Sequence, residues 1–437
     1  MTMEDKDILL TLPEFVEIIE RDDKFIFFNP EVPAWVVTNR NGAILLSKCD
    51  GRSFQEIVDE CADNQPEVSA QIRNFLTEAW RTHLFEVPDP KQYIVRRSNR
   101  SLSMVQLQLS SKCNLNCRYC YAVDRQEHGV RKMGYFDYVR VIDELLEIAP
   151  DLRFSLTGGE PLLNPEVFDI ARYIKSKGCA VDILTNATLL DETMIDQVAE
   201  VFDEVSISLD GSTRELHESL RGKGTYDKIQ RAIQLLAERH VPYRLSMTVT
   251  QNNIHDIEPM ASLYGSRLNY APLFPAGNAR LSADDISVSG REYYEALSKS
   301  FGVNPLSYCE SSLDSAQSCR ACKCAVGDSE LSISESGDVY PCQLLHYQQF
   351  YAGNVFEQSI KDIYFHSSVL EYCRHLTVDN LKGCSTCFLK YVCGGACRAR
   401  AFFECNDIES SGSFCEYEKN AFIDGILKIY SNNLLMP

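Results

Sequence analysis

Twelve of the eighteen cysteines in this 437-residue chain fall between positions 309 and 415. Disulfides concentrate in small secreted domains, whereas clustered cysteines in a large chain point to metal binding or redox chemistry. The C-terminal quarter is therefore expected to be organised around cysteine-ligated metal. The N-terminal stretch MTMEDKDILLTLPEF is acidic and lacks the basic and apolar segments of a secretory signal. No run approaches the roughly 18 consecutive apolar residues of a membrane span. A cytoplasmic chain that does not enter the membrane is the expectation. Lysine plus arginine is 43 and aspartate plus glutamate is 62, a net charge of −19, which opposes nucleic-acid binding.

At roughly 100 to 200 residues per domain the length suggests two to four domains, and the patterning separates them. In residues 1–90, FVEIIERDD, KFIFFNP and PAWVVTNR read as short strands, and GAILLSKCDG as a helix ended by Gly51. Ser53 caps the helix FQEIVDECA with Glu56 at capping-box spacing, and PEVSAQIRNFLTEAWRTHLFE is a longer amphipathic helix. This is a winged-helix order. Residues 91–102 read as a linker. Residues 103–280 alternate strand and helix, with strands MVQLQLS, LRFSLTG, VDILTN, EVSISLD, YRLSMTV and RLNYAPLF. Such alternation implies parallel strands with right-handed crossovers. Six units make an α/β fold, a partial (β/α)6 barrel, with its site at the C-terminal ends of the strands. Residues 281–308 form a bridging helical segment, and 309–437 the cysteine-rich domain.

Directly after the first barrel strand, SSKCNLNCRYCYA spaces Cys113, Cys117 and Cys120 as C-x-x-x-C-x-x-C, with Tyr119 before the last. Three thiolates on one loop can hold three irons of a 4Fe–4S cube and leave the fourth open. A zinc site would need a fourth ligand, for which His128 is the nearest candidate. LTGGEPLL places Gly158, Gly159 and Glu160 after the second strand, where two glycines allow close backbone approach to a ligand. Asn186 follows the third strand, Ser208 and Asp210 the fourth, and Arg221 lies in RGKGTYD. Each of these polar residues has a plain alternative as a loop cap. In the C-terminal quarter, Cys324 is followed by twelve residues, Gly337, four residues and Cys342. LSISESGDVYP reads as a hairpin whose turn needs the positive φ that Gly337 tolerates. CSTCFLKYVCGGAC supplies Cys384, Cys387, Cys393 and Cys397, with Cys415 further on. Taken alone, those four clustered cysteines would also suit a zinc ribbon.

At these residues the chain resembles the radical S-adenosylmethionine (SAM) superfamily, over about 103–280. The resemblance implies that Cys113, Cys117 and Cys120 hold a 4Fe–4S cluster whose open iron binds SAM. An electron, from a donor such as flavodoxin or ferredoxin, would then cleave SAM to a 5′-deoxyadenosyl radical. It implies SAM contacts at Tyr119, Gly158, Gly159, Glu160, Asn186, Ser208, Asp210 and Arg221. The seven-cysteine pattern resembles the SPASM extension of these enzymes, which holds two auxiliary 4Fe–4S clusters, three clusters in all. By that correspondence one auxiliary cluster takes Cys324, Cys342 and Cys397, and the other Cys384, Cys387, Cys393 and Cys415. The first then lacks a ligand. Cys319 is preferred, because a C-x-x-x-x-C loop spans two cube corners with less strain than C-x-C; Cys322 and Cys309 are the alternatives. Cys49, Cys61, Cys179, Cys373 and Cys405 read mostly as small buried hydrophobes.

The segment NPEVPAWVVTNRNGAILLSKCDGRSFQEIVDE resembles the peptide-binding chaperone domain of pyrroloquinoline quinone biosynthesis, the prototype of the RiPP recognition element. (RiPPs are ribosomally made, post-translationally modified peptides.) The resemblance covers about residues 8–88. It implies that a leader peptide adds as a strand along Ala34 to Asn39 and packs on a helix face from about Val68 to Trp80. A DNA-binding reading is disfavoured, since EVSAQIRNFLTEAWRTH has two arginines and no basic stripe. The function expected is a radical SAM peptide maturase. It would abstract hydrogen from a precursor peptide and form an intrapeptide thioether, C–C or C–O crosslink. A formylglycine-forming maturase of the sulfatase type is the alternative, but those relatives carry Asp where Gln343 follows Cys342. A non-catalytic electron carrier or peptide chaperone is a third reading, opposed by the intact Cys113–Cys120 and Gly-Gly-Glu-Pro motifs.

Overall fold

Among the short N-terminal strands, KFIFFN and AWVVT carry apolar side chains on both faces. In the computed structural model, residues 8–32, 34–86, 102–123, 131–281, 286–301 and 322–429 are described. β2 (Glu17–Arg21), β3 (Lys24–Asn29) and β4 (Ala34–Thr38) form an antiparallel sheet in that order. The β2–β3 turn is Asp22-Asp23 with φ of 51° and 57°, the two positive values that a tight hairpin turn requires. A ladder that sequence patterning misses pairs β1 (Leu9–Thr11) with β5 (Asp50–Ser53). The β5 sequence, DGRS, carries no strand signal. It is held through tertiary contact, with the Phe54 N–H donating to the Ile8 carbonyl at 2.8 Å. Helix α1 (Arg40–Ser47) is capped by Asn39 and stops short of Gly51, which lies in β5. The capping box of Ser53 and Glu56 opens α2 (Phe54–Ala62), and Pro66 opens α3 (Pro66–Arg81).

Six parallel strands follow in consecutive order: β6 (Met104–Ser110), β7 (Arg153–Gly158), β8 (Ala180–Thr185), β9 (Glu204–Ser208), β10 (Tyr243–Val249) and β11 (Leu268–Pro272). Helices fill every crossover, two of them between β9 and β10. The strands bury Val105, Phe154, Ile183, Ile207 and Met247 against apolar helix stripes such as Val141–Ile142–Leu145 and Ile170–Ala171–Ile174. This is the parallel α/β sheet expected, consistent with a partial barrel. The cysteine-rich part is less separate than its composition suggests. Its hairpin, β12 (Glu330–Ile333) and β13 (Asp338–Tyr340), joins the barrel sheet, because β12 pairs parallel with β6. With β14 (Gly353–Asn354) the sheet reaches nine strands. Gly337 has φ +80° in the hairpin turn.

The N-terminal sheet sits between two cores. Phe27 and Val36 face the helices α1–α3. Ile26, Phe28, Trp35 and Val37 face the other way and pack on Leu389 and on Phe422, Ile423, Ile426 and Leu427 of the last helix, Cys415–Ile429. Phe28 stacks on Trp35 at 5.6 Å, and Trp35 meets Phe422 edge-on at 5.9 Å. Arg21 pairs with Asp424, and Lys390 with Glu31 at 2.9 Å. Exposed ion pairs contribute about 0–1 kcal/mol, whereas one buried large apolar side chain contributes about 1.5–3 kcal/mol. The aromatic cluster therefore dominates the docking.

Candidate active site

The cysteine loop leaves the C-terminal end of β6 and is gripped through its backbone. The Arg118 N–H donates to the Leu220 carbonyl at 3.0 Å, the Asn278 N–H to the Cys120 carbonyl at 2.9 Å, and Asn278 Nδ2 to the Cys117 carbonyl at 3.0 Å. On the other side lies the turn after β7. A Cβ on Gly158 would strike the Ser110 backbone, and one on Gly159 the Lys112 carbonyl. Both positions need glycine because backbone meets backbone there.

Buried polar residues brace this arrangement. The Glu160 carboxylate accepts from the Thr185 hydroxyl at 2.7 Å, the Asn186 N–H at 2.8 Å and the Leu162 N–H at 3.1 Å. Glu160 therefore fixes Asn186, whose Nδ2 donates to Asn114 Oδ1 at 3.0 Å and points at Cys113 Sγ at 3.8 Å. Asp210, fully buried, accepts from the Tyr119 hydroxyl, the Arg221 guanidinium and the Thr248 N–H. The Arg221 guanidinium lies 5.4 Å over the Tyr119 ring. His217 Nδ1 accepts from the Asp210 N–H at 3.2 Å, and burial holds its imidazole down to about 4, neutral at ordinary pH. Through these bonds Glu160 holds Asn186, and Asp210 holds Tyr119 and Arg221.

The strand ends open on one cavity of about 670 Å³. Cys113, Cys117, Tyr119, Cys120, Gly158, Gly159, Asn186, Ser208 and Arg221 line it from the barrel side. Cys397 and Cys415 line it from the cysteine-rich side, with Gln343. Sequence reasoning missed Tyr294, Arg400 and Glu418, which also line it. These three lie outside the six strands, and nothing in their local sequence says that they reach the barrel mouth.

Burial raises several of the thiols. Burial raises Cys117 to about 11, and the charges of Cys120 and Cys113 add to the rise. Burial also raises Cys342, with Cys397 and Cys324 among the neighbouring charges. Cys384 is raised by burial with Cys415 and Cys387 beside it, and Cys393 has Cys384 as a neighbour. Cys373, fully buried and raised to about 12 by burial, has Cys324 nearby. Cys319 and Cys309 lie outside the described residues, as does His128. Backbone N–H groups point at the sulfurs: Leu115 at Cys113 (3.4 Å) and Leu344 at Cys342 (3.5 Å). Among the described residues no three of His, Cys, Asp and Glu converge closely enough for a single metal ion.

Residues 107–264 match the family model of the radical SAM superfamily, and residues 324–388 that of the SPASM iron–sulfur cluster-binding domain. The chain is a radical SAM enzyme with a SPASM domain. The first domain indicates a 4Fe–4S cluster and SAM, and the second auxiliary iron–sulfur clusters. The radical SAM chain is 28% identical over 344 residues to the AdoMet-dependent heme synthase of Methanosarcina barkeri, covering 72% of this chain and 96% of that protein. It is 26% identical over 318 residues to the mycofactocin maturase MftC of Mycobacterium tuberculosis, covering 68% and 78%. Among solved structures, anSMEcpe with bound AdoMet superposes with a TM-score of 0.60 at 20% identity, over 75% of this chain and 100% of that one. Streptococcus suis SuiB bound to its precursor peptide SuiA superposes with a TM-score of 0.55 at 16% identity, over 93% of this chain and 100% of that one. The structural likenesses speak for the fold. Among the described residues no helix is long and apolar enough to cross a membrane.

Proposed function

We propose that this radical SAM enzyme is a peptide maturase that abstracts hydrogen from a ribosomally made precursor peptide and closes an intrapeptide thioether, C–C or C–O crosslink. The observation that carries the reading is a cavity of about 670 Å³, which is lined both by the Cys113–Cys120 loop and by Cys397 and Cys415. A substrate held there would meet the radical source on one side and cysteine ligands of the SPASM domain on the other. Three 4Fe–4S clusters are proposed. Cys113, Cys117 and Cys120 hold the one that binds SAM; Cys324, Cys342 and Cys397, completed by Cys319, hold the second; and Cys384, Cys387, Cys393 and Cys415 hold the third. When bound, SAM and its cluster supply a 5′-deoxyadenosyl radical. The chain's own residues do the rest. Gly158 and Gly159 offer close backbone, Asn186 and Ser208 offer polar contacts at the strand ends, and Asp210 keeps Tyr119 and Arg221 in place. The cavity wall of Phe274, Tyr293 and Phe414 excludes water from a reactive intermediate.

Substrate capture is assigned to residues 1–90. Among the described residues β4 pairs with β3 alone within its sheet, and its second edge is the place for a leader strand to add. This domain rests on the helix that begins with Cys415, so a leader bound on Ala34–Asn39 would enter beside the SPASM domain. Heme chemistry is the second reading, since the match to the Methanosarcina heme synthase covers 96% of that protein. That match spans 72% of this chain, whereas the SuiB fold extends over 93% of it. The chain thus carries more than the heme synthase accounts for, and the similar MftC is a maturase.

The test takes as candidate precursor a short peptide encoded in the gene neighbourhood and compares it with the same peptide lacking its leader, using anaerobic, reduced enzyme and SAM. The expected result is a KM for modification at least tenfold higher without the leader and a similar kcat, because the leader supplies binding remote from the reacting atoms. Equal kcat/KM for the two peptides would remove the leader-binding role. Turnover of a porphyrin but of neither peptide would move the assignment to heme chemistry.

A further inference from the structure

Glu418 is the single carboxylate among the described residues that line the cavity. It stands on the helix Cys415–Ile429, three residues after Cys415. Its Oε1 accepts a hydrogen bond from the Tyr294 hydroxyl at 3.2 Å, and among the described residues its other oxygen takes no side-chain donor. The other charged groups of the cavity are committed. Arg221 is bound to Asp210. Arg400 donates to the Pro272 carbonyl at 2.8 Å, to the Leu273 carbonyl at 3.2 Å and to Glu404 at 2.6 Å. Gln343, beside Cys342 in the same cavity, is an amide and cannot accept a proton near neutral pH.

Closing a crosslink removes two hydrogens from the peptide. One leaves carbon as an atom, to the 5′-deoxyadenosyl radical. The other leaves the partner group, a hydroxyl or thiol X–H, as a proton when the C–X bond forms. One electron must then pass to an oxidant, here an oxidised iron–sulfur cluster of the SPASM domain. The proton needs an acceptor inside a cavity walled by Phe274, Tyr293 and Phe414.

We propose that Glu418 is the residue that takes this proton, and that it also orients the X–H group of the peptide by accepting its hydrogen bond. Atoms and electrons balance. The C–H and X–H bonds break and the C–X bond forms. One hydrogen ends in 5′-deoxyadenosine, one proton on Glu418 and one electron on the cluster. Burial raises the Glu418 carboxyl above the ordinary range, with the Tyr294 hydrogen bond and the Arg400 charge opposing, and such a group is better matched to proton transfer near neutral pH. The proposal rests on the peptide-maturase reading.

The experiment uses the full-length, cluster-loaded enzyme and the candidate precursor. Iron content, peptide-dependent 5′-deoxyadenosine and crosslinked product are measured for the unaltered chain, Glu418→Gln and Glu418→Asp. For Glu418→Gln the expected result is unchanged iron and retained 5′-deoxyadenosine formation, with product reduced at least about 100-fold, so that SAM cleavage and crosslinking uncouple. Glu418→Asp keeps the carboxylate and should restore part of the product rate, which a merely structural role would not predict. If Glu418→Gln loses iron, Glu418→Asp decides: slowed product with intact iron supports the role, and an unchanged product rate overturns it. Product falling in step with 5′-deoxyadenosine, or unchanged in Glu418→Gln, overturns the role of Glu418 alone. No peptide product from the unaltered chain overturns the maturase reading and this proposal with it.

Discussion

The two cysteine regions of this chain are held by opposite means. The Cys113–Cys120 loop hangs from a finished scaffold. Six parallel strands set its position, and Leu220, Asn278 and the Gly158–Gly159 turn grip its backbone. The cysteines of the SPASM region lie on turns and on helices as short as Lys390–Cys393. Apart from the thiols, the hairpin β12–β13 of that region joins the barrel sheet, and the cysteine-bearing turns beyond it pack on an apolar cluster around Tyr340, Leu381 and Tyr391. The region is also tied by fully buried Arg398, which donates to the Ile408 carbonyl at 2.9 Å and the Ser410 carbonyl at 2.7 Å. A loop borne by a barrel keeps its shape without metal. A region whose ligands are also its cross-links does not.

The largest expected effect sets the two apart directly. Replacing Cys113, Cys117 and Cys120 with Ala should remove about a third of roughly twelve irons and all SAM cleavage, while the thermal midpoint barely moves. Replacing Cys384, Cys387, Cys393 and Cys415 with Ala should also remove about a third of the iron, but hydrogen-exchange protection should collapse across 384–415 and SAM cleavage should persist. Iron analysis and exchange mass spectrometry on both variants read the contrast. Equal loss of protection in the two would erase it.

The barrel's own weak point is electrostatic. Asp210→Asn strips the counter-charge from buried Arg221 and the acceptor from Tyr119. Breaking a buried pair costs about 3–5 kcal/mol, so chemical denaturation should show a loss of that order together with weakened SAM binding. On the other side of the comparison, Trp35→Ala empties the docking cluster that joins the N-terminal sheet to the last helix. Aromatic truncation in a core costs about 3–5 kcal/mol, reduced here because the site lies between domains. Increased proteolysis between the domains should accompany it, with SAM cleavage without peptide unchanged. Ser53→Ala removes one half of the capping box and should cost about 1 kcal/mol, confined to the N-terminal domain and without effect on iron.

How much could be read beforehand follows the same division. MVQLQLS and YRLSMTV coincide with β6 and β10 residue for residue, because both alternate core residues (Val105, Leu107 and Leu109; Leu245, Met247 and Val249) with polar ones at the strand period of two. The cavity-facing positions of Asn186 and Ser208 followed from the rule that sites gather at strand ends. The inward turn of Glu160 and Asp210 did not, since side-chain direction within a loop depends on which donors the fold brings near. Long-range pairing left no local trace either. LSISESGDVYP announces a hairpin, but nothing in it says that its first strand lies parallel to Met104–Leu107. DGRS forms a strand only because Leu9 and Leu10 arrive beside it. The docking face of Ile26, Phe28, Trp35 and Val37 was legible as apolar but not as a contact with the last helix, whose residues lie nearly 400 positions away.

Hydrogen abstraction from a peptide has a direct test. The candidate precursor is prepared fully deuterated on carbon and incubated with the reduced, cluster-loaded enzyme and unlabelled SAM, and the 5′-deoxyadenosine is weighed by mass spectrometry. One deuterium is expected in that product, formed together with a peptide lighter by the atoms lost in the crosslink. Unlabelled 5′-deoxyadenosine, made at the same rate with and without the peptide, would contradict it.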